Sequence, residues 1–172
     1  MKTIILFTFL LSGFCGCKKN NANNPVREVY RPIREEEYIP IQIPCYLSRN
    51  LDTAKLYIQG TWEWLEEKRM TRNQGLIYLT PQTQGYTRTL KLQNDTARFF
   101  QNNQPGFVST YKILLEKDIT NYPDDNKPVI AYYRLSDNLR SSYVPIKICS
   151  GYLVMQHQYV SSIVGENIWK KQ

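Results

Sequence analysis

The sequence predicts an all-β fold, an antiparallel sheet of about eight strands closed as an up-and-down barrel or folded as a sandwich. Three observations carry that expectation. Thirteen tyrosines and three tryptophans stand among 172 residues, and aromatic side chains favour the half-buried surface of a sheet over a helix. Apolar and polar residues alternate: Tyr86, Leu90 and Leu92 share one parity against Thr87, Thr89 and Lys91, and Phe107, Tyr111, Ile113 and Leu115 oppose Thr110, Lys112 and Glu116. Turn residues rather than helices join these stretches, which excludes a parallel α/β sheet for want of crossover helices.

The N-terminus speaks to compartment. After Met1-Lys2, the run Thr3 to Phe14 (TIILFTFLLSGF) is almost wholly apolar. It falls short of the roughly 20 residues that span a bilayer and suits the apolar region of a secretory signal. The continuation FCGCKKNNANN resembles a bacterial lipoprotein signal, in which a small residue precedes the cysteine that becomes lipidated. Gly16 before Cys17 meets that requirement, whereas bulky Phe14 before Cys15 does not. The resemblance implies a signal peptide over 1–16, an acyl chain on Cys17 and an outer-membrane anchor, on the periplasmic or the cell-surface face. The alternative is an ordinary cleaved signal or a short tail anchor.

Export sets the expectation for the remaining cysteines. Cys45 and Cys149 would sit in an oxidising compartment, where a bridge persists. Spanning 104 residues, such a bridge stabilises by roughly 4 kcal/mol in the chain-entropy view; two buried thiols are the alternative. The net charge of +7 fits a position near an anionic membrane surface. No nucleic-acid-binding motif accompanies it, and no nucleic-acid partner is expected.

Along the chain, KKNNANN opens a flexible tether over 17–28, followed by a proline-rich arm over 29–56 and the barrel over 57–172. Pro25, Pro32, Pro40 and Pro44 exclude a regular helix and confine any strand to a sheet edge. EYIPIQIPCYL reads as an extended segment laid over the domain and pinned by Cys45, and the acidic triplet Glu35 to Glu37 as a solvated turn. Asn50 to Tyr57 reads as a helical turn capped by Asn50 or Asp52. Strands are expected over Gly60 to Met70, Tyr86 to Leu92, Thr96 to Gln101, Phe107 to Lys117, Val129 to Leu135, Val144 to Ile148, Tyr152 to Gln156 and Asn167 to Lys170. Between them PQTQG offers Gly85 for positive φ, QNDT reads as a hairpin turn, and NNQPG and NYPDDNKP as longer loops.

Gly60-Thr61-Trp62 resembles the Gly-x-Trp start of the first lipocalin strand. Further elements follow in order: Trp64, Thr80-Pro81 with Gly85, the Leu90/Leu92 strand running into an Asn-Asp turn, and Gly165 with Trp169-Lys170. Together they resemble the lipocalin-like domains of small bacterial lipoproteins, from about Tyr57 to the C-terminus. That resemblance implies a barrel in which Trp62 plugs the closed end and Gly60 lets the chain bend in. A basic residue of the last strand, Lys170 or Lys171, would lie across the indole. Trp64, two residues on, would form part of a cavity wall.

No motif carries catalysis. His157 is the sole histidine and reads as a surface or loop residue; no nucleophile elbow, zinc-helix motif or phosphate loop occurs. Glu66 and Glu67 are adjacent and point to opposite faces of a strand. Asp124-Asp125-Asn126 lacks an EF-type pattern and reads as a solvated turn. The chain is therefore expected not to be an enzyme and to need no cofactor or metal. Parity puts Trp64, Tyr86, Arg88, Leu90, Phe99, Tyr111, Ile113, Tyr133 and Val154 in the interior, as candidate ligand contacts. An inward Arg88 needs an anionic partner, from the protein or from a ligand, or else a place near the rim. Two functions compete: a membrane-tethered module binding a small apolar or amphipathic ligand, and a solid barrel that works by touching another envelope protein.

Overall fold

The computed structural model describes residues 32–117, 126–160 and 163–172. The expected leader, Cys17 and the tether lie outside these residues, as do Asp124 and Asp125.

Eight strands close into an antiparallel barrel. In chain order the elements are β1 (Ile33–Arg34), α1 (Leu51–Tyr57), β2 (Gly60–Thr71), β3 (Gly75–Leu79), α2 (Pro81–Gln84), β4 (Arg88–Gln93), β5 (Thr96–Gln101), β6 (Gln104–Lys117), β7 (Asn126–Tyr133), β8 (Arg140–Ile148), β9 (Tyr152–Val160) and β10 (Ile163–Lys171). Around the wall the order is β2-β10-β9-β8-β7-β6-β5-β4, and β4 returns to β2 to complete the ring. Closure leaves the ring no free edge. All eight expected strands are present, most of them longer than the alternation alone indicates. The hairpin at QNDT forms with Asn94 at φ 49° and Asp95 at φ 59°, the left-handed pair that matches sheet twist. NNQPG is not a long loop: Asn102 and Asn103 adopt the same pair (φ 50° and 62°) and join β5 to β6 directly.

One strand escapes the alternation argument. β3 pairs with the second half of β2, and β1 pairs with β3. Ile77 and Leu79 face the interior while Tyr78 lies under Tyr38, with ring centroids 4.6 Å apart. A strand covered on both sides shows a continuous apolar run instead of a period of two. β2 therefore changes partner along its length, taking β4 over Gly60–Glu63 and β3 over Glu67–Thr71.

The end at which β2 begins is plugged. Asn50 Oδ1 caps α1 by accepting from the backbone N–H groups of Asp52 (2.9 Å) and Thr53 (3.1 Å). The helix buries Ala54 in the barrel core, and Ile58 follows it there. Trp62 seals the same end: its Nε1–H donates to the Ile58 carbonyl at 2.8 Å. The lysine against this indole is Lys171, not Lys170. Lys171 stands opposite Trp62 in the β2–β10 register, places Nζ 5.3 Å from the ring centroid and donates to the Tyr57 carbonyl at 3.0 Å. Lys170 is exposed and stands opposite Glu63. Gly60, at φ +141°, takes a conformation that L side chains rarely adopt, as the bend into the barrel requires.

The proline-rich arm lies extended over the outer wall. Ile41, Ile43, Cys45 and Leu47 are half-buried, alternating with exposed Gln42, Pro44 and Tyr46. Cys45 is disulfide-bonded to Cys149, and Ser48 bridges Ile148 through two backbone hydrogen bonds. At the other end of the arm, the Tyr38 hydroxyl and the Ile41 backbone N–H both donate to Glu66 Oε2, at 2.8 and 3.2 Å. Glu35–Glu37 form the expected exposed turn.

Candidate functional site

A β-bulge decides which side chains enter the barrel. In the β2–β10 ladder Ile168 opposes Glu66, but Trp169 opposes Trp64, so Leu65 is passed over. The extra residue flips the parity of β2. Trp62 and Trp64 face inward before the bulge; Glu67 and Arg69 face inward after it. Glu66 and Glu67 thus point to opposite faces, as adjacency requires, yet both are only 1% exposed. Glu66 is covered by the arm and Glu67 lies inside.

The register stacks the inward residues in layers. Lys171, Trp62, Leu90 and Phe99 form the layer at the plugged end. Above it Trp64 opposes Trp169, which opposes Leu153. Next come Glu67, Asn167 and Met155, and then Arg69, Gly165 and His157. Gly165 leaves the space between Arg69 and His157 without a side chain.

Glu67 organises the polar part of this interior. Its Oε1 accepts from Arg69 Nε at 2.8 Å and from Arg69 Nη2, and its Oε2 faces Arg88 Nη1 at 3.4 Å. Arg88 comes from β4 and fills the wall where β2 exchanges β4 for β3. Its guanidinium lies 4.4 Å from the Trp64 ring centroid, and its Nη2 donates to the Tyr86 hydroxyl at 2.7 Å. Tyr86 precedes β4, after the Gly85 turn (φ 66°), and stacks on Trp64 with centroids 5.8 Å apart. The sequence asked what anion an inward Arg88 would meet, and the protein itself supplies one. A carboxylate buried so deeply is tolerable only because charged donors reach both of its oxygens.

His157 is not a surface or loop residue. It belongs to β9, on the inward parity of Leu153 and Met155. Burial lowers its pKa; the positive charges of Arg88 and Arg69 push the same way and the Glu67 carboxylate opposes them.

The other expected interior residues divide. Leu90 and Tyr111 lie in the core, with Phe99 and Ile113 packed against it. The Tyr111 hydroxyl accepts from Gln59 Nε2 at 2.8 Å, and burial and the Asp95 carboxylate push its pKa up to about 12. Tyr133 faces outward under Lys112, whose Nζ is 5.1 Å from its ring centroid, and Tyr132 takes the inward place. Val154 also faces outward, between Ile168 and Lys147, and the inward residues of β9 are Leu153 and Met155. Both errors come from a strand read one residue out of phase, which moves every side chain to the other face.

Four buried side-chain atoms have no hydrogen-bond partner among the described residues: Trp64 Nε1, Trp169 Nε1, Asn167 Oδ1 and Ser109 Oγ. Leaving such a group unpaired costs about 1–3 kcal/mol. The contrast with Trp62, whose indole N–H is satisfied, is direct. Among the described residues no three His, Cys, Asp or Glu side chains are grouped to hold a metal ion.

Comparison with protein-family models, with curated proteins and with solved structures gave no match.

Proposed function

We propose that this chain is a lipocalin-like lipoprotein, tethered to the outer membrane through Cys17, whose barrel holds a small amphipathic molecule. The observation that carries the reading is the contrast between the two halves of the interior. Toward the α1 end the space is filled by Trp62, Leu92 and Ile148 with the helix behind them. Beyond Trp64 the wall becomes polar, with Glu67 between Arg69 and Arg88, Tyr86 on the Arg88 guanidinium and His157 in the next layer. A mostly apolar lining with a few fixed polar groups is the usual composition of a small-molecule site. The apolar leader with Gly16-Cys17 and the net charge of +7 support the membrane tether.

Displacement of N-phenyl-1-naphthylamine, an uncharged apolar dye, tests the barrel. The reading expects saturable binding of one dye per chain, lost in Trp64→Ala. Absence of saturable binding to the wild-type chain would favour instead the solid barrel acting through protein contacts. Acyl-chain incorporation tests the tether separately, since Cys17→Ser should carry no lipid and leave the membrane fraction.

A further inference from the structure

The end of the barrel away from α1 carries an apolar rim. Met70, Phe107, Val108, Leu135 and Leu139 all stand there, five of the ten large apolar side chains exposed among the described residues. The other five are scattered over the arm, α1, β6 and β8. Leu135 and Leu139 belong to the turn between β7 and β8 and are 62% and 58% exposed. Hydrogen bonds fix the shape of that turn. The Arg134 N–H donates to the Leu139 carbonyl and the Asn138 N–H to the Arg134 carbonyl, both at 3.0 Å. The Leu139 N–H donates to Asp137 Oδ1 at 3.1 Å, and Asn138 takes a φ of 53°. These polar groups are satisfied within the turn, and the two leucines are held outward. The arginines flanking them are paired, Arg134 with Asp137 and Arg140 with Glu116, so neither brings an unpaired charge to an apolar medium. Val108 lies beside the turn, because Thr110, two residues along β6, pairs with Tyr133 at the start of it.

We infer that this rim, led by Leu135 and Leu139, dips into the lipid surface that holds the chain, so that the barrel stands with α1 pointing away from the membrane. The inference rests on the tethered reading through Cys17. What favours lipid as the occupant is where the described chain starts. Ile33 pairs with Tyr78, three residues along β3 from Gly75, and Gly75 follows the β2–β3 turn at this same end. Three strand residues rise about 10 Å, so the chain coming from Cys17 enters the fold near the rim. The 14 residues between Cys17 and Pro32 span at most about 50 Å, which keeps the rim within reach of the membrane that holds an acylated cysteine. The net charge of +7 draws the chain to an anionic surface, and apolar side chains gathered at one exposed end mark a contact surface. The exposed turn Glu35–Glu37 packs against β3, on the other side of the rim. An anionic surface repels it, so the β6–β8 side makes the contact and the barrel sits tilted.

Fluorescence of a tryptophan placed on the rim tests the contact. The full chain is purified from membranes, weighed for its acyl group and reconstituted with vesicles of phosphatidylethanolamine and phosphatidylglycerol, their acyl chains plain or brominated. Leu139→Trp puts the probe on the rim, and Leu56→Trp, at a site on α1 that is 70% exposed, puts it at the opposite end. Both sites are exposed, so the fold is kept, and the emission of the wild-type chain from Trp62, Trp64 and Trp169 is subtracted. The Leu139→Trp emission should move to shorter wavelength and be quenched by bromine, while that of Leu56→Trp should be the same in both vesicles. An acylated chain in which Leu139→Trp is not quenched, or Leu56→Trp is quenched as strongly, overturns the rim contact and leaves the Cys17 tether standing. A chain without an acyl group that still joins the vesicles with Leu139→Trp quenched upholds the rim contact and overturns the tether. One that neither carries lipid nor joins the vesicles overturns both.

Discussion

Arg88 and Glu67 meet inside the barrel at 3.4 Å, at the place where β2 exchanges β4 for β3 as its neighbour. One carboxylate there faces two guanidinium groups, Arg69 on one oxygen and Arg88 on the other. Neutralising Glu67 leaves both cations without that anion in a largely buried setting. Glu67→Gln should therefore lower stability in urea unfolding by about 3 kcal/mol or more. Glu63→Gln, at a half-buried site on the outer face of the same strand, should stay within about 0.5 kcal/mol.

The lysine pair at the C-terminus separates two neighbours by parity alone. Lys171→Ala loses the contact with the Trp62 ring and the hydrogen bond to the Tyr57 carbonyl, and should cost about 1–2 kcal/mol. Lys170→Ala should be nearly silent in the same thermal or urea melt. Equal effects would mean that the β2–β10 register is wrong.

Opening the disulfide should release the arm as well as destabilise the barrel. Cys45→Ser with Cys149→Ser removes a link spanning 104 residues, an expected loss of roughly 4 kcal/mol. Limited proteolysis should then cut faster between Tyr38 and Leu47, the stretch held at its other end by Glu66. Glu66→Ala should accelerate the same cuts with the disulfide intact.

His157 predicts a pH dependence with a definite sign. Its folded pKa lies below the ordinary 6.5, so the unfolded chain binds more protons between the two values. Stability should therefore rise with pH across that window and level off above about 6.5. His157→Gln should flatten that slope. Glu166 acts in a lower window. Burial raises its pKa, but hydrogen bonds from Gln156 and Lys147 outweigh burial and leave it lowered. Its contribution is present above about 4.5 and is lost as pH falls through the folded value, whatever residue 157 is.

The strand count, the Asn-Asp hairpin, the Asn50 cap and the course of the arm were legible in the sequence because each rests on local chemistry. Alternation, turn residues and capping all act over a few positions. The polar interior was not legible, and the reason is the bulge at Leu65. Strict alternation from Trp62 and Trp64 carries on to Glu66 and Lys68, whereas one extra residue turns Glu67 and Arg69 inward. Nothing in GTWEWLEEKRM announces that step; it is set by the pairing with β10. His157 was missed for a related reason. A single histidine in MQHQYV has no chemical signature until the register places it beside Gly165 and near Glu67. Tyr133 and Val154 were lost to phase, since strands bounded by apolar residues on both faces give parity little purchase.

The central claim is that the barrel carries a small molecule, and native mass spectrometry of the protein taken gently from its own membranes tests it most directly. The account predicts a reproducible adduct beyond the acyl chains proposed on Cys17, of the mass of a small amphipathic molecule, and its loss in Trp64→Ala. A clean mass with no such adduct, across independent preparations, would contradict it and leave a filled barrel that acts through its outer surface.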